Sequence, residues 1–385
     1  MRIVICDITG RTFNYDWALY EALCGKKNKD DIIQLWSPKC VETRAKFSSF
    51  FSLVPIKYRN SSNLLFRILK VIDTLFAYLT ICFRMLRNKP EVFHLQWFPF
   101  ISLGAKGASI DMFFIRLIKK MSPRTKYLFT IHNICPHGMK EDDREKYNPL
   151  FFKALSLFDH FVVHTERTKM DVCNDLHLQN EKVSVIYHGV FKPEGVLFKT
   201  VDLNKDTINV IMYGNQNWYK GTDILVKSLR YLNDLAKKKL NLTICGAISD
   251  SYLAECKSYE NGFPINWVPR FLDDDELYAY INRADIIVLP YRRISQSGVL
   301  LLALSTNRYI VASNLPNFKE TLMGFPEDMF FQSEDPKDLA RVLEKCVCNQ
   351  QDEKKINSSI VFLNELYSWE KSAEKTLSTY KTLLC

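Results

Sequence analysis

Short apolar runs and longer amphipathic stretches alternate along the whole chain. In the first half, runs at 2–6, 31–36, 92–95, 127–131, 160–163 and 183–187 have the length and composition of strands. Amphipathic helices fit between them, for example over 15–24 and 165–175. The second half does the same, with strands expected at 209–213, 241–245, 265–268, 286–289 and 309–312 and helices at 222–237, 273–281 and 298–304. Strands alternating with helices predict parallel, doubly wound α/β sheets. Two such blocks predict two Rossmann-like domains. The join falls at 190–207, which is polar and holds Pro and Gly.

Bulk properties narrow the class. A chain of 385 residues is too long for one compact core. Its 47% apolar and 25% charged residues are ordinary for a soluble globular protein. Eleven cysteines are scattered without a CxxC pair, which reads as free thiols in a reducing compartment, with neither a disulfide framework nor a zinc site. The N-terminus, Met-Arg-Ile-Val-Ile-Cys-Asp, reads as a strand and not as a signal peptide, so a cytoplasmic location is expected. The net charge of +9 is uneven: residues 1–190 carry 28 Lys/Arg against 18 Asp/Glu, and 41–125 carry 14 against 4. An anionic surface or nucleic acid is the partner class this suggests.

In doubly wound sheets, ligands bind beyond the carboxyl ends of the strands. The polar residues expected there include Asp7, Thr9 and Gly10, then Gln96 and Trp97, His132 and Asn133, and Glu166. His94, His132, His164 and His188 all fall at such ends, which points to a cleft between the two domains. In the second half the corresponding segments are Gly214 to Gly221, Arg270 with Phe271, and the loop after 286–289. That loop reads Pro-Tyr291-Arg-Arg-Ile-Ser-Gln296-Ser297-Gly298-Val299 and runs into an apolar helix. Free N–H groups and the positive end of the helix dipole meet there, which suits a diphosphate; an ordinary Ser/Gly helix cap is the alternative.

These pieces in this order resemble the two-Rossmann (GT-B) glycosyltransferases that use nucleotide sugars, in particular the group-1, family-4-like enzymes of bacterial polysaccharide assembly. The anchors are Val185-Ile-Tyr-His-Gly-Val190, Tyr213-Gly-Asn with Tyr219-Lys-Gly221, Val268-Pro-Arg-Phe-Leu-Asp, Ala284-Asp-Ile-Ile-Val-Leu-Pro-Tyr291, Gln296 to Leu304, and Ser368-Trp-Glu370. The resemblance covers nearly the whole chain. It implies an acceptor-binding domain over 1–190 and a nucleotide-sugar domain over 191–365, facing across a cleft. A C-terminal helix over 366–385 would cross back to the first domain. It further implies that Lys220 reaches the diphosphate and that Gly221 and Gly214 let the backbone come close, beside Asn215. Arg270 and Phe271 would pack on the base, while Tyr291, Gln296, Ser297, Gly298 and Val299 complete the phosphate side. The first strand-to-helix turn, Thr9, Gly10 and Asn14, would lie near the donor phosphates and the acceptor.

The paired Glu of the retaining enzymes is missing: positions 286–304 hold no carboxylate. Retention of anomeric configuration is therefore not implied, and an inverting reaction would need a general base at the acceptor hydroxyl. Asp7, His132 and Glu166 are candidates by position, His132 foremost; a histidine capping a loop carbonyl is the alternative. Gln96, Trp97 and Asn133 are expected on the acceptor side. No GxGxxG and no suitably placed DxD appear, so neither a dinucleotide nor a metal is expected. Asp273-Asp-Asp275 reads as helix-capping acids.

Residues 64–87 are long enough to approach a membrane span but carry charges near their middle. At 100° per residue, Arg67, Lys70, Asp73, Thr74, Thr80, Arg84 and Arg87 share an arc of roughly 160° and the remainder is apolar. Two readings stand: a core helix with a basic outer face, or a helix lying on anionic lipid. Aromatic-basic patches at Phe47, Phe50, Phe51, Leu53, Lys57 and Arg59, and at Phe113, Phe114, Arg116, Lys119 and Lys120, fit peripheral association with the inner face of the membrane. The expected activity is transfer of a hexose from a UDP- or GDP-sugar to a glycolipid or polysaccharide acceptor. The competing readings are a GT-B sugar-nucleotide epimerase, or a basic nucleic-acid- or membrane-binding protein without catalysis. No recognisable nucleic-acid module supports the last.

Overall fold

The computed structural model describes residues 1–38, 48–50, 63–134, 141–192, 195–196, 206–294, 296–348 and 352–385, with side chains omitted for 48–50 and 141–146. The chain forms two compact units, Met1–Gly189 with Trp369–Cys385, and Val190–Ser368.

The first unit is built on a seven-stranded parallel sheet. Its strands are β1 (Arg2–Cys6), β2 (Ile32–Pro38), β3 (Ser48–Phe50), β4 (Val92–Leu95), β5 (Lys126–Thr130), β6 (His160–Val163) and β7 (Val183–Val185), in the order β3-β2-β1-β4-β5-β6-β7. The second unit carries β8 (Ile208–Met212), β9 (Leu240–Cys245), β10 (Ile265–Val268), β11 (Ile286–Leu289), β12 (Tyr309–Ser313) and β13 (Phe330–Phe331), in the order β10-β9-β8-β11-β12-β13. All the pairings are parallel. The doubly wound α/β class expected from the sequence is what the structure shows. Each sheet reverses its strand order at one place, between β1 and β4 in the first and between β8 and β11 in the second, and ligands of such sheets bind at that switch point.

The inner strands are apolar on both faces because helices cover both. Val4, Phe93, Tyr127 and Phe161 share one core with the helices Leu64–Asn88 and Ala105–Met121. Ile3, Ile5, Leu128 and Val162 share the other with Phe13–Lys26 and the C-terminal helix Trp369–Leu384, through Ala373, Leu377 and Tyr380. The last helix thus belongs to the first unit.

Two expectations are corrected. The single helix read over 222–237 is broken: Thr222–Ser228 passes through a short 3-10 turn, and Asn233 caps a new helix, Asp234–Lys239, accepting from the Ala236 N–H. The edge strands β3 and β13 were too short to leave a pattern. The helix Leu64–Asn88 does not bury all of its apolar surface. It packs inward with Thr74, Ala77, Tyr78, Ile81, Cys82 and Met85, and it exposes Leu65, Ile68, Phe76, Leu79, Phe83 and Leu86. No helix among the described residues is long and apolar enough to cross a membrane. The patch at 47–59 lies outside the described side chains.

Candidate functional site

At the switch point of the second sheet, the loop after β8 meets the loop after β11. Gly214 takes φ +94°, and a Cβ there would come within 3.0 Å of the Lys220 ammonium and 3.2 Å of Val299. Gly221 takes φ +73°, and a Cβ would stand 1.9 Å from the Pro290 carbonyl oxygen, so only glycine lets these loops touch. The Tyr213 hydroxyl donates to the Val299 carbonyl (2.9 Å) and the Arg292 N–H to the Tyr219 carbonyl (2.8 Å).

Lys220 is the unusual residue. Its side chain is only 6% exposed, and its ammonium sits 5.5 Å from the centre of the Tyr291 ring. Among the described residues no carboxylate faces it. Desolvation alone pulls its pKa down to about 8. A buried cation without a counter-charge is costly, and an arriving anion relieves that cost. Tyr291 is itself buried, edge-on to Tyr219 at 6.0 Å and against Phe318 at 5.3 Å.

Two other polar side chains of these loops are bonded within them. Gln216 donates to the carbonyls of Gly214 (2.8 Å) and Cys245 (3.0 Å) and accepts from the Thr222 hydroxyl (2.8 Å). Arg292 holds Asp223 through two 2.8 Å bonds, donates to the Trp218 carbonyl and lies over the Trp218 ring. Burial would raise the Asp223 pKa, but Arg292 and Lys227 outweigh it and hold it at about 2. Sequence reasoning placed Gln216 in this loop without a role and missed the Arg292–Asp223 pair, whose members lie far apart in the chain.

Ser297 caps the helix Gly298–Ser305 by accepting from the Leu300 N–H (3.1 Å). Gly298 borders open space, and the buried Oε1 of Gln296 has no partner among the described residues. Asn215 is exposed. Arg270 is exposed and pairs with Glu276, and Phe271 is 74% exposed. Asp273 caps the helix Asp274–Arg283 by accepting from the Glu276 N–H (2.9 Å).

In the first unit, Asp7 is buried at the end of β1. It accepts from the N–H groups of Thr9 (3.1 Å), Gly10 (2.9 Å) and Thr12 (2.8 Å) and from the Thr9 and Thr12 hydroxyls. A carboxylate so occupied shapes its turn and has little lone-pair capacity left for a substrate proton. Neighbouring Asp16 is buried, and desolvation, reinforced by Asp7, raises its pKa well above the carboxylate range. Asn14 is exposed on the first turn of the helix Phe13–Lys26, and Glu166 is exposed on that of Glu166–Asp175.

Three of the four histidines come together around Tyr15, whose ring centre lies 4.9 Å from His132, 5.2 Å from His164, 4.9 Å from His188 and 5.4 Å from Trp369. His132 Nδ1 is 3.2 Å from His164 Nε2, and His132 Nε2 is 3.3 Å from Gln96 Oε1. His164 Nδ1 meets the Ile186 carbonyl at 3.0 Å. His94 bonds the Tyr380 and Thr130 hydroxyls, both at 2.7 Å. Burial first, then the neighbouring imidazoles, lowers the His132 pKa well below its usual value, so this ring is neutral. A small pocket beside His132 is lined by Trp97, Phe98, Thr130, Asn133, Tyr147 and Phe151 among others. Arg11 lies over the Trp97 ring at 4.3 Å.

Residues 207–349 match the family described as Glycosyl transferases group 1, and 53–191 match Glycosyltransferase Family 4. The chain is a GT-B glycosyltransferase of this group-1, family-4-like kind. Similar to this glycosyltransferase is one of Methanocaldococcus jannaschii, 21% identical over 274 residues, covering 67% of this chain and 70% of that one. The GDP-mannose:glycolipid 4-beta-D-mannosyltransferase of Xanthomonas campestris is 23% identical over 238 residues, 59% of this chain and 62% of its own. Among solved structures, sucrose-phosphate synthase from Thermosynechococcus elongatus superimposes with a TM-score of 0.69 at 15% identity, over 100% of this chain and 99% of that one. HepE of Anabaena, solved with UDP, gives 0.66 at 10% identity over 99% and 100%.

Proposed function

We propose that this glycosyltransferase moves a hexose from a UDP- or GDP-sugar to a glycolipid or surface-polysaccharide acceptor. The observation that carries the donor half is Lys220, a buried ammonium at the switch point of the second sheet with no acidic partner among the described residues. A nucleoside diphosphate is the anion that fits. Lys220 and the N–H groups at Gly298 and Val299 would stabilise the negative charge that grows on it as the glycosyl bond breaks. Arg270 and Phe271 are the proposed base-side residues. Cations and backbone donors supply the charge stabilisation in this reading, so no metal is invoked. The UDP-bound neighbour and the relative named for GDP-mannose and glycolipid support both the donor class and the acceptor class.

In the first unit His132 is the proposed base for the acceptor hydroxyl, with Gln96, Trp97 and Asn133 beside it. We place the enzyme at an anionic membrane. The exposed apolar stripe of Leu64–Asn88 is continued by exposed Ile110 and Phe113 of Ala105–Met121, with Arg67, Arg87, Arg116 and Lys120 exposed on the same helices. Apolar side chains would enter the headgroup boundary while the basic ones meet phosphates.

The test is thermal unfolding against a panel of UDP- and GDP-hexoses. A donor at 100 times its dissociation constant adds about 2.7 kcal/mol. A panel in which no nucleotide sugar moves the transition sinks the proposal.

A further inference from the structure

We infer that His164 is a positioning residue: it fixes His132 in the tautomer that carries its proton on Nδ1 and presents the lone pair of Nε2. The inference rests on His132 as the proposed base, and it follows from the polarity of one hydrogen-bond chain. The Ile186 carbonyl oxygen can only accept, so the His164 Nδ1 at 3.0 Å is the protonated nitrogen. His164 is buried, and burial pulls its pKa down to about 4, so the ring is neutral and its Nε2 holds a lone pair. The His132 Nδ1, 3.2 Å from that lone pair, must therefore be the donor. What remains on His132 is the Nε2 lone pair, the arrangement a general base needs.

The opposite polarity would put the proton on His132 Nε2 and require both nitrogens of His164 to be protonated. That would be a buried imidazolium packed against Tyr15 and His188 (5.6 Å between ring centres), with only a neutral carbonyl to meet it.

Gln96 agrees. Its Oε1 stands 3.3 Å from His132 Nε2, where the assigned tautomer has a lone pair, and its buried Nε2 has no partner among the described residues. Amide oxygen and nitrogen are interchangeable in shape. Turning the amide over lets its NH2 donate to His132 Nε2 and puts the amide oxygen in the buried place where the nitrogen had no partner among the described residues. In the resting enzyme Gln96 then holds the lone pair's place until an acceptor hydroxyl takes it. Tyr15 packs against both rings, and Trp369 of the C-terminal helix packs against Tyr15, so the last helix backs the pair.

The test is spectroscopic and uses the full chain labelled with 15N-histidine, observed by two-bond 15N–1H correlation at neutral pH. His132 is assigned by the signals lost in His132→Gln. The expected pattern for His132 is a protonated Nδ1 and a bare Nε2. In His164→Ala that pattern gives way to a mixture of tautomers. His164→Gln, which keeps one donor and one acceptor on its amide, restores it at least in part. Circular dichroism and thermal unfolding confirm that each variant is folded. A His132 protonated on Nε2 in the wild type overturns the inference, and so does a folded His164→Ala in which the His132 pattern is unchanged. Nucleotide binding at Lys220 is read separately, so failure of the donor-site proposal and failure of this one are distinguishable.

Discussion

Two loops occupy the same topological position in the two units, and they treat a buried charge in opposite ways. The loop after β1 holds Asp7, and the loop after β8 holds Lys220. Asp7 is met by three backbone N–H groups and two threonine hydroxyls. Lys220 has the Tyr291 ring and, among the described residues, no acidic partner. The first charge is spent on folding its own turn. The second is held in reserve for a ligand, at a cost to the empty protein. Position at a switch point nominates a residue for function, but unsatisfied bonding capacity is what distinguishes a site from a scaffold.

The largest expected effect breaks the reserved charge. Lys220→Met should weaken UDP or GDP binding by at least 100-fold, about 2.7 kcal/mol, through loss of a desolvated charge-assisted contact. The same change should stabilise the ligand-free protein. A fall from 10.5 to about 8, at roughly 1.4 kcal/mol per unit, corresponds to about 3 kcal/mol of strain at neutral pH. The sign follows from the folded pKa lying below the unfolded one. The penalty is full below pH 8 and fades as pH rises toward 10.5, where the unfolded chain also releases its proton. Chemical unfolding of both proteins at pH 7 and pH 10 checks it: the gap should shrink at the higher pH.

Gly221→Ala should cost about 2–4 kcal/mol in the same unfolding experiment, because a Cβ cannot share space with the Pro290 oxygen and φ is positive. Asp7→Asn should cost about 2–3 kcal/mol, the opposite sign to Lys220→Met, since an amide nitrogen would turn against N–H donors and bonds to a charged acceptor would be lost. If Asp7→Asn were neutral for stability but abolished transfer, the contrast between scaffold and reserve would fail. Phe83→Ser, on a side chain 58% exposed, should move stability by no more than about 0.5 kcal/mol yet weaken sedimentation with anionic vesicles.

Much of the fold was legible. The strands β1, β4, β6 and β11 begin and end where their runs do, because a strand covered on both faces is apolar over nearly all of its length. The short edge strands β3 and β13 depend on a neighbour more than on their own residues. In Leu64–Asn88 the periodicity revealed an apolar arc wider than a single packing face. It could not say which part meets the sheet, because tertiary packing decides that. Lys220 and Gly221 stood out by their place between a strand and a helix. The Arg292–Asp223 clamp and the contact of His132 with His164 arise between elements far apart in the chain, and no local spacing encodes them, whereas Asp7 is exhausted within its own turn by Thr9, Gly10 and Thr12.

The most direct test is calorimetric titration of UDP and of GDP into the wild type and into Lys220→Met at pH 7. The account predicts that the wild type binds at least one of the two and that the folded variant binds it at least 100-fold more weakly. Equal affinities in the two proteins, or no binding of either nucleotide to the wild type, would contradict it.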